Sequence, residues 1–470
     1  MRRERTRGRT SAVVRAAATA ALILPLAVIT AACSDPVTTS RQTPPPVRIG
    51  AIYNLTGGQA ALDAPSLDGA RLAVDRINAR GGLLGRRVEL LERDGQTDEE
   101  DVSRAAASLV AAGCSAIIGL SDSDQVLAAA PIAARAGVPF VTSGATSPRL
   151  PADVPNWLFL ACFGDNTQAA ASAQYASEQL GARTPAVLYD RKLDYTRLLA
   201  RYFQRSFRAQ GGSVLVTADY ETAGDAVQRL AAGATGPGEE ASPSEGESGA
   251  GDEGVPSEEA SDGDSGSGSG TAEDGEAEEA GEDGAGGSGS GAAAAGSGTP
   301  LAAQADVLFV AAAPEDAARL VRRLRAAGYR QPIMGGDSFD SDGLIKSAEK
   351  TGGKVYYTTH AGVGMSSASR AVRRFDAFYQ AAYGRPPQNS FAGLGYDAVG
   401  LVASAIRRAD SVKPSEVRDA LQATRHFRGV TGTLSYDGDS RVPLKKVTLV
   451  CVGRRPVVVA QFTPGYVAEP

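Results

Sequence analysis

The chain has 470 residues, a formal net charge of −6, 43% apolar content, four cysteines and two histidines. That length allows two or three domains with real cores. It carries no CxxC, HExxH or GxSxG, and Asp94, Asp98 and Glu99 form no pair with an acid–base role. Metal, redox and catalytic readings therefore have no support, and no cofactor is expected.

At the N-terminus, Arg2, Arg3, Arg5, Arg7, Arg9 and Arg15 precede the apolar run Ala17 to Ile29, and Thr30-Ala31-Ala32-Cys33 follows. A basic region, a short apolar core and small residues before a cleavage point describe a secretory signal over residues 1–33. The apolar run is too short to span a bilayer. Cys33 stands where a lipobox places its lipidated cysteine, although Thr30 replaces the usual aliphatic residue. The mature chain is expected to begin at Cys33, held to the outer face of a membrane by acyl chains, with residues 34–46 as a solvated tether. A plain signal-peptidase site with an incidental cysteine is the alternative.

Val47 to Tyr53 reads as a buried first strand, Leu67 to Ala79 as a helix stopped by Gly81-Gly82, and Val88 to Leu91 as a second strand. A helix over Asp98 to Ala112 and a strand over Ser115 to Leu120 follow. The stretch Ile117 to Pro148 then describes strand, loop, Ala-rich helix, strand and loop. In a parallel sheet it sets Ser121-Asp122-Ser123 beside Gly144-Ala145-Thr146 at the carboxyl ends of adjacent strands, where open α/β sheets bind ligands. A strand at Trp157 to Cys162 ends this series.

A second series begins with a helix from Asp165-Asn166-Thr167 to Leu180. Strands at Pro185 to Tyr189 and Val214 to Val216 and helices at Tyr195 to Ala209 and Ala226 to Ala232 continue it. Two such series imply two α/β lobes with parallel sheets and a ligand cleft between them. Residues 233–300 interrupt the pattern: Gly233 to Gly298 holds 17 acidic residues and no Lys or Arg among Gly, Ser, Ala and Pro. Such a segment cannot bury enough apolar surface to offset chain entropy and is expected to be a disordered insert in a helix-to-strand loop. Setting those 17 acids aside turns the chain's −6 into about +11, and about +6 once the signal's six arginines and one glutamate are removed as well. The acidity is thus a property of the insert and says nothing of the ligand.

After the insert come a strand at Ala305 to Val310, a helix at Pro314 to Ala327, a strand from Pro332 to a polar loop at Asp337, and a strand at Val355 to Thr359. Helices at Ala371 to Tyr383, Phe391 to Arg407 and Ser415 to Ala423 and two last strands complete the chain. Cys114 and Cys162 are open to two readings, a disulfide of an exported protein or buried free thiols.

The segments IGAIYNLTG, DGARLAVDRINARGG, SGATSP, VLYD, GGDSF, YGRPP, YDAV and FRGVTGTLSYDGD occur in this order. Together they resemble the branched-chain amino acid (Leu/Ile/Val) binding proteins of ABC importers, the type I periplasmic binding proteins. The resemblance covers roughly Val47 to Phe462 apart from the insert. It implies two Rossmann-like lobes joined by three crossovers, lobe one at 46–163 plus 360–433 and lobe two at 164–359 plus 434–470, closing by hinge bending.

By the same resemblance, Ser123, Gly144, Ala145 and Thr146 would hold an amino acid's carboxylate. Gly144, Thr146 and Asp337 would meet its ammonium, Tyr195 would close over it, and Phe391 would supply an apolar wall. Each residue has a plainer reading: Ser121 or Ser123 as a helix cap, Thr146 as a turn residue, Asp337 as a loop carboxylate, Tyr195 as packing.

Asp122 and Asp124 depart from a carboxylate-binding pattern unless they point away from the cleft. Leu62 stands where relatives often carry an aromatic lid, and Ala311 to Ala313 where a tyrosine is common. The implied partners are a small-molecule ligand, ABC permease and ATPase subunits and the membrane. No nucleic acid is expected, and the chain is expected to be monomeric. A ligand-sensing receptor of the same fold and an envelope protein with a vestigial cleft are the competing classes.

Overall fold

Strand and helix alternate from the first described residues of the computed structural model, which describes residues 44–220, 304–365, 368–438 and 440–470. The signal, Cys33, the helix expected at 226–232 and the acidic insert lie outside the described residues. The first series runs β1 (Val47–Tyr53), α1 (Ala60–Asn78), β2 (Val88–Asp94), α2 (Glu99–Ala111), β3 (Ala116–Gly119), α3 (Ser123–Arg135), β4 (Phe140–Thr142), the short α4 (Leu150–Asp153) and β5 (Leu158–Leu160). Its strands form a five-stranded, all-parallel sheet in the order β2-β1-β3-β4-β5.

The second series is α5 (Asp165–Gln179), β6 (Ala186–Tyr189), α6 (Asp194–Ala209), β7 (Val216–Asp219), β8 (Leu308–Val310), α7 (Pro314–Ala326), β9 (Ile333–Gly335), a 3-10 turn at Asp337–Phe339, α8 (Asp342–Thr351) and β10 (Val355–Thr359). The chain then returns to the first sheet with α9 (Arg370–Tyr383), α10 (Phe391–Ala409), α11 (Pro414–Gln422) and the small hairpin β11 (Phe427–Arg428) and β12 (Thr433–Leu434). It finishes on the second sheet with β13 (Val447–Val452) and β14 (Pro456–Phe462), giving the order β14-β13-β10-β9-β8-β6-β7. There the parallel pattern ends, because β13 is antiparallel to both β10 and β14.

Each sheet has an apolar core on both faces. One face of the first packs Leu67, Ala70 and Val74 of α1 against Val399, Val402 and Ile406 of α10, and the other packs α2 and α3 around Ile117 and Phe140. The second sheet is covered by α7 and α8 on one face and by α5 and α6 on the other. Both sheets belong to one compact unit, Pro45–Pro470. The strand ends that face the opposite sheet are where the chain crosses: after β5, after β10 and before β13.

Two departures from the expected elements have clear physical causes. Helix α1 starts at Ala60, seven residues before the expected Leu67, and carries Pro65 inside it. Proline normally ends a helix because it has no N–H for the carbonyl four residues back. Here that carbonyl, of Ala61, takes the Nδ2–H of Asn389 at 2.9 Å instead. Helix α8 has a sparse apolar stripe of Leu344, Ser347 and Ala348; Ser341 caps it by accepting the Leu344 N–H, and Gly352 closes it at φ 70°.

Candidate functional site

The first sheet builds one wall of the site at the ends of β3 and β4. Strand β3 ends in a sharp turn with Gly119 at φ 135° and Leu120 at φ 57°. A Cβ on Gly119 would lie 1.8 Å from the Ile52 carbonyl oxygen, so only glycine fits. Leu120, a non-glycine in the left-handed region, holds strain of a kind that gathers at binding sites. Asp122 caps α3, its Oδ1 accepting the N–H groups of Asp124 at 3.0 Å and Gln125 at 3.1 Å. Neither Ser121 nor Ser123 is the cap. The Ser121 hydroxyl donates to Asp63 Oδ1 at 2.5 Å.

The neighbouring loop is locked by Thr142, whose hydroxyl donates to the Leu120 carbonyl at 2.9 Å and accepts the Ala145 N–H at 3.0 Å. The Cys162 thiol donates to the Ala145 carbonyl at 3.1 Å. Cys114 and Cys162 are both buried free thiols, which decides between the two readings of that pair. Gly144 sits so close that a Cβ there would come within 2.7 Å of Ser121 Oγ and 2.8 Å of the Phe391 ring.

The opposite wall is built around Asp337. Its Oδ1 accepts the Gln168 Nε2–H and the Tyr195 hydroxyl, each at 2.9 Å, and its Oδ2 lies 3.0 Å from His360 Nε2. Burial pushes the His360 pKa below its ordinary value, outweighing the Asp337 bond. The neutral ring therefore donates through Nε2–H, and Nδ1 is left buried without a partner. The ring stacks on Phe163 at 4.0 Å and meets Phe391 edge-on at 5.6 Å. Ser338 lies 3.2 Å from the Tyr195 hydroxyl and donates to the Ala312 carbonyl at 2.7 Å.

Between the walls is a cavity with about 260 Å³ of empty space. Gln59, Leu62, Ser121, Asp122, Gly144, Thr146 and Phe391 line it from the first sheet, and Tyr195, Pro314, Asp337 and Ser338 from the second. The space is narrow, with room for about one water. A ligand of several heavy atoms requires the walls to part.

The structure thus gathers Gly144, Thr146, Tyr195, Asp337 and Phe391 around one space. Ser123 and Ala145 are buried but do not line it. Because α3 starts at Ser123, the turn before the helix presents Ser121 and Asp122 instead. Asp122 does not point away from the cleft. Leu62 does line the space, whereas Ala311 to Ala313 are buried outside its lining.

Several participants gave no sequence signal. Gln59 and Asp63 fall in the turn of α1 that Pro65 hid, and Gln168 is an ordinary helical glutamine until its side chain is seen bridging Asp165 and Asp337. His360, one of only two histidines, is buried and bonded to a cavity residue, Asp337. Among the described residues no group of His, Cys, Asp and Glu is placed to hold a metal ion.

The site is rich in buried carboxyls. Desolvation pushes both Asp63 and Asp165 up to about 7, and raises Asp122, on which the charges of Glu99 and Asp194 act in the same direction. A carboxyl raised in the fold stabilises the protein when protonated; that contribution is complete below about pH 4 and is lost as pH rises through 7. Asp63→Asn is therefore expected to stabilise the protein at about pH 8 by roughly 2–4 kcal/mol and to change little at about pH 4. The amide can keep both Asn54 bonds to Oδ2, at 2.8 and 2.9 Å, and offer N–H to Ser121. Melting curves across this pH range check the sign.

Two sheets, one wholly and one mostly parallel, with helices on both faces and a cavity between them form the kind of α/β architecture in which ligands sit beyond strand ends. The family model described as periplasmic binding protein matches residues 46–234 and 300–454, and the chain belongs to that family.

Among curated relatives, the Leu/Ile/Val-binding protein BraC3 of Rhizobium johnstonii is 32% identical over 179 residues, 38% of this chain and 48% of that protein. The Leu/Ile/Val-binding protein homolog 8 of Brucella abortus is 36% identical over 102 residues, 22% of this chain and 25% of that protein. The chain thus spans half or less of the length of these relatives. In fold it is similar to the leucine binding protein LivK of Thermotoga maritima, with TM-score 0.68, 23% identity, and coverage of 89% of this chain and 99% of that one. The branched-chain amino acid transporter substrate binding protein LivJ of Streptococcus pneumoniae, in complex with isoleucine, gives TM-score 0.67, 24% identity, and coverage of 90% and 100%. No helix among the described residues is long and apolar enough to cross a membrane.

Proposed function

We propose that the protein is an extracytoplasmic, lipid-anchored solute-binding protein that captures an amino acid or a related small amide or carboxylate and delivers it to an ABC importer. One observation carries this reading: the closed cavity sets hydroxyl and backbone groups at Ser121, Gly144 and Thr146 opposite the Asp337 carboxylate with Tyr195 and Ser338. A zwitterion needs an acid for its ammonium on one side and donors for its carboxylate on the other, which Ser121, Gly144 and Thr146 supply by turning from Asp63, the Leu120 carbonyl and Asp165. The branched-chain amino acid-binding relatives support the same ligand class.

In this account Gly144 and Thr146, with Ser121, hold the carboxylate. Asp337 takes the ammonium, Tyr195 closes over the ligand and Phe391 covers its apolar part. Lobe one comprises 46–163 and 360–433, lobe two 164–359 and 434–470, and they part and close about the three crossings. The protein acts as a monomer, with the permease and ATPase subunits of the importer as partners and the acidic insert as a solvated spacer on lobe two. Cys33 anchors it to the membrane.

A thermal-shift screen of the mature chain against amino acids, short amides and small acids tests the ligand class. Ligand binding only to the folded state raises the melting temperature. No stabilisation from any of them would remove the reading. Cys33→Ser is expected to move the protein from the membrane fraction to the soluble one, and continued retention would remove the anchor.

A further inference from the structure

We infer that the ligand carries a positively charged nitrogen group seated between Gln59 and Asp122, so that the amino acid taken is one with a basic side chain. This narrows the amino-acid reading above and rests on it. At that end of the cavity two acceptor oxygens lack a full complement of donors. Asp122 Oδ1 is occupied by two backbone N–H groups, but Oδ2 meets only the Gln59 Nε2–H, at a long 3.3 Å.

Gln59 is 9% exposed, lines the cavity, and its Oε1 is buried without a partner. Buried acceptors are nearly always paired, so an orphan facing a ligand cavity marks a missing donor. Turning the amide over does not help, because the oxygen would then face the Asp122 carboxylate. A group with several N–H donors and a positive charge satisfies both acceptors at once.

The wider charge pattern points the same way. Asp122 and Asp124 on the first side confront Asp194 on the second, Asp122 also confronts Glu315, and each of these encounters raises a carboxyl's pKa. The Asp194 backbone N–H reaches across to Asp124, and Glu315 lies close enough to Gly58 that a Cβ there would come within 2.4 Å of it. Closing the walls therefore brings acid against acid, and no Lys or Arg is among the residues lining the cavity. A cation placed between them turns that repulsion into attraction.

Asp337 does not compete for this cation, since in the reading above it takes the ligand's ammonium from the other wall. Leu62, Pro314 and Phe391 supply apolar surface for the methylene stem that a basic side chain brings with its charged tip. A leucine side chain would leave the Gln59 and Asp122 acceptors desolvated and unpaired.

Calorimetric titration of the mature full-length chain with L-lysine, L-ornithine, L-arginine and L-leucine tests the inference. At least one basic amino acid is expected to bind more tightly than leucine. Asp122→Asn, which keeps a capping side chain, is expected to lower that affinity about a hundredfold, and Gln59→Leu about tenfold. Saturation by leucine with none of the basic three bound would overturn the inference while leaving the amino-acid reading intact. An Asp122→Asn variant with undiminished affinity for the basic ligand would overturn it as well. Failure of all four to bind would remove the amino-acid reading and this inference with it.

Discussion

Asp337→Ala is expected to lower affinity for the amino acid by about a thousandfold, corresponding to ~4 kcal/mol. Asp337 is 2% exposed, and its two oxygens accept from Gln168, Tyr195 and His360. The alanine variant removes the counter-charge to the ligand's ammonium and takes an acceptor from all three donors; Gln168 keeps Asp165 and Tyr195 keeps Ser338, whereas the His360 Nε2–H is left with none. Gln168 is held through its Oε1, which accepts from the Asp337 N–H at 3.0 Å and the Thr358 hydroxyl at 2.7 Å. Asp337→Asn separates charge from shape. It keeps an oxygen for part of the network, so its melting temperature should stay closer to that of the wild type while binding is still lost. Calorimetry and melting curves on both variants check the two halves of this expectation.

Lys445→Met is expected to destabilise the protein by roughly 3–5 kcal/mol, the usual cost of removing one partner from a buried charge pair. Lys445 is 3% exposed and donates to the Ala161 carbonyl at 2.9 Å and the Thr431 hydroxyl at 2.6 Å. The Thr431 hydroxyl donates in turn to Asp397 at 2.7 Å, and Asp397 also accepts the N–H groups of Val430 and Thr431. Desolvation lowers the lysine pKa and raises the aspartate's, so burial outweighs attraction for both, and each tolerates its position only because the other is there.

The network ties the segment leaving β5 to the hairpin that precedes β13, two of the places where the chain passes between sheets. Adding Asp397→Asn to Lys445→Met should recover part of the loss, because it removes the stranded charge. Chemical denaturation of the single and double variants measures the coupling directly.

How far the residues announce this arrangement differs from element to element. The two sheets were legible because period and punctuation agree: Val47 to Tyr53, Ile117 to Gly119 and Val355 to Thr359 are apolar runs closed by polar turns, each followed by a helix or loop. The start of α1 was not legible, because Pro65 is tolerated only through Asn389, a residue more than three hundred positions away. That one tertiary bond hid Gln59 and Asp63, while Leu62 came forward only through the family resemblance.

In the site, Gly144 and Thr146 follow a strand end that marks itself, whereas Tyr195, Asp337 and Phe391 came forward through the family resemblance, the first and last of them lying in helices. The choice of Ser121 and Asp122 over Ser123 depends on where α3 begins, and a one-residue change in that start rotates a different side chain toward the cavity. Lys445 gave no signal at all. A lysine among VPLKKV reads as surface, and only the meeting of three distant segments around it makes it a buried cation.

The central claim is that one small molecule is clasped from both sides at once. Calorimetric titration with the amino acid that most raises the melting temperature, run on the wild type, on Thr146→Val from one wall and on Asp337→Asn from the other, addresses it most directly. The account predicts one ligand bound per chain and weakened binding in each variant. Wild-type affinity in both variants, or no saturable binding to the wild type, would contradict it.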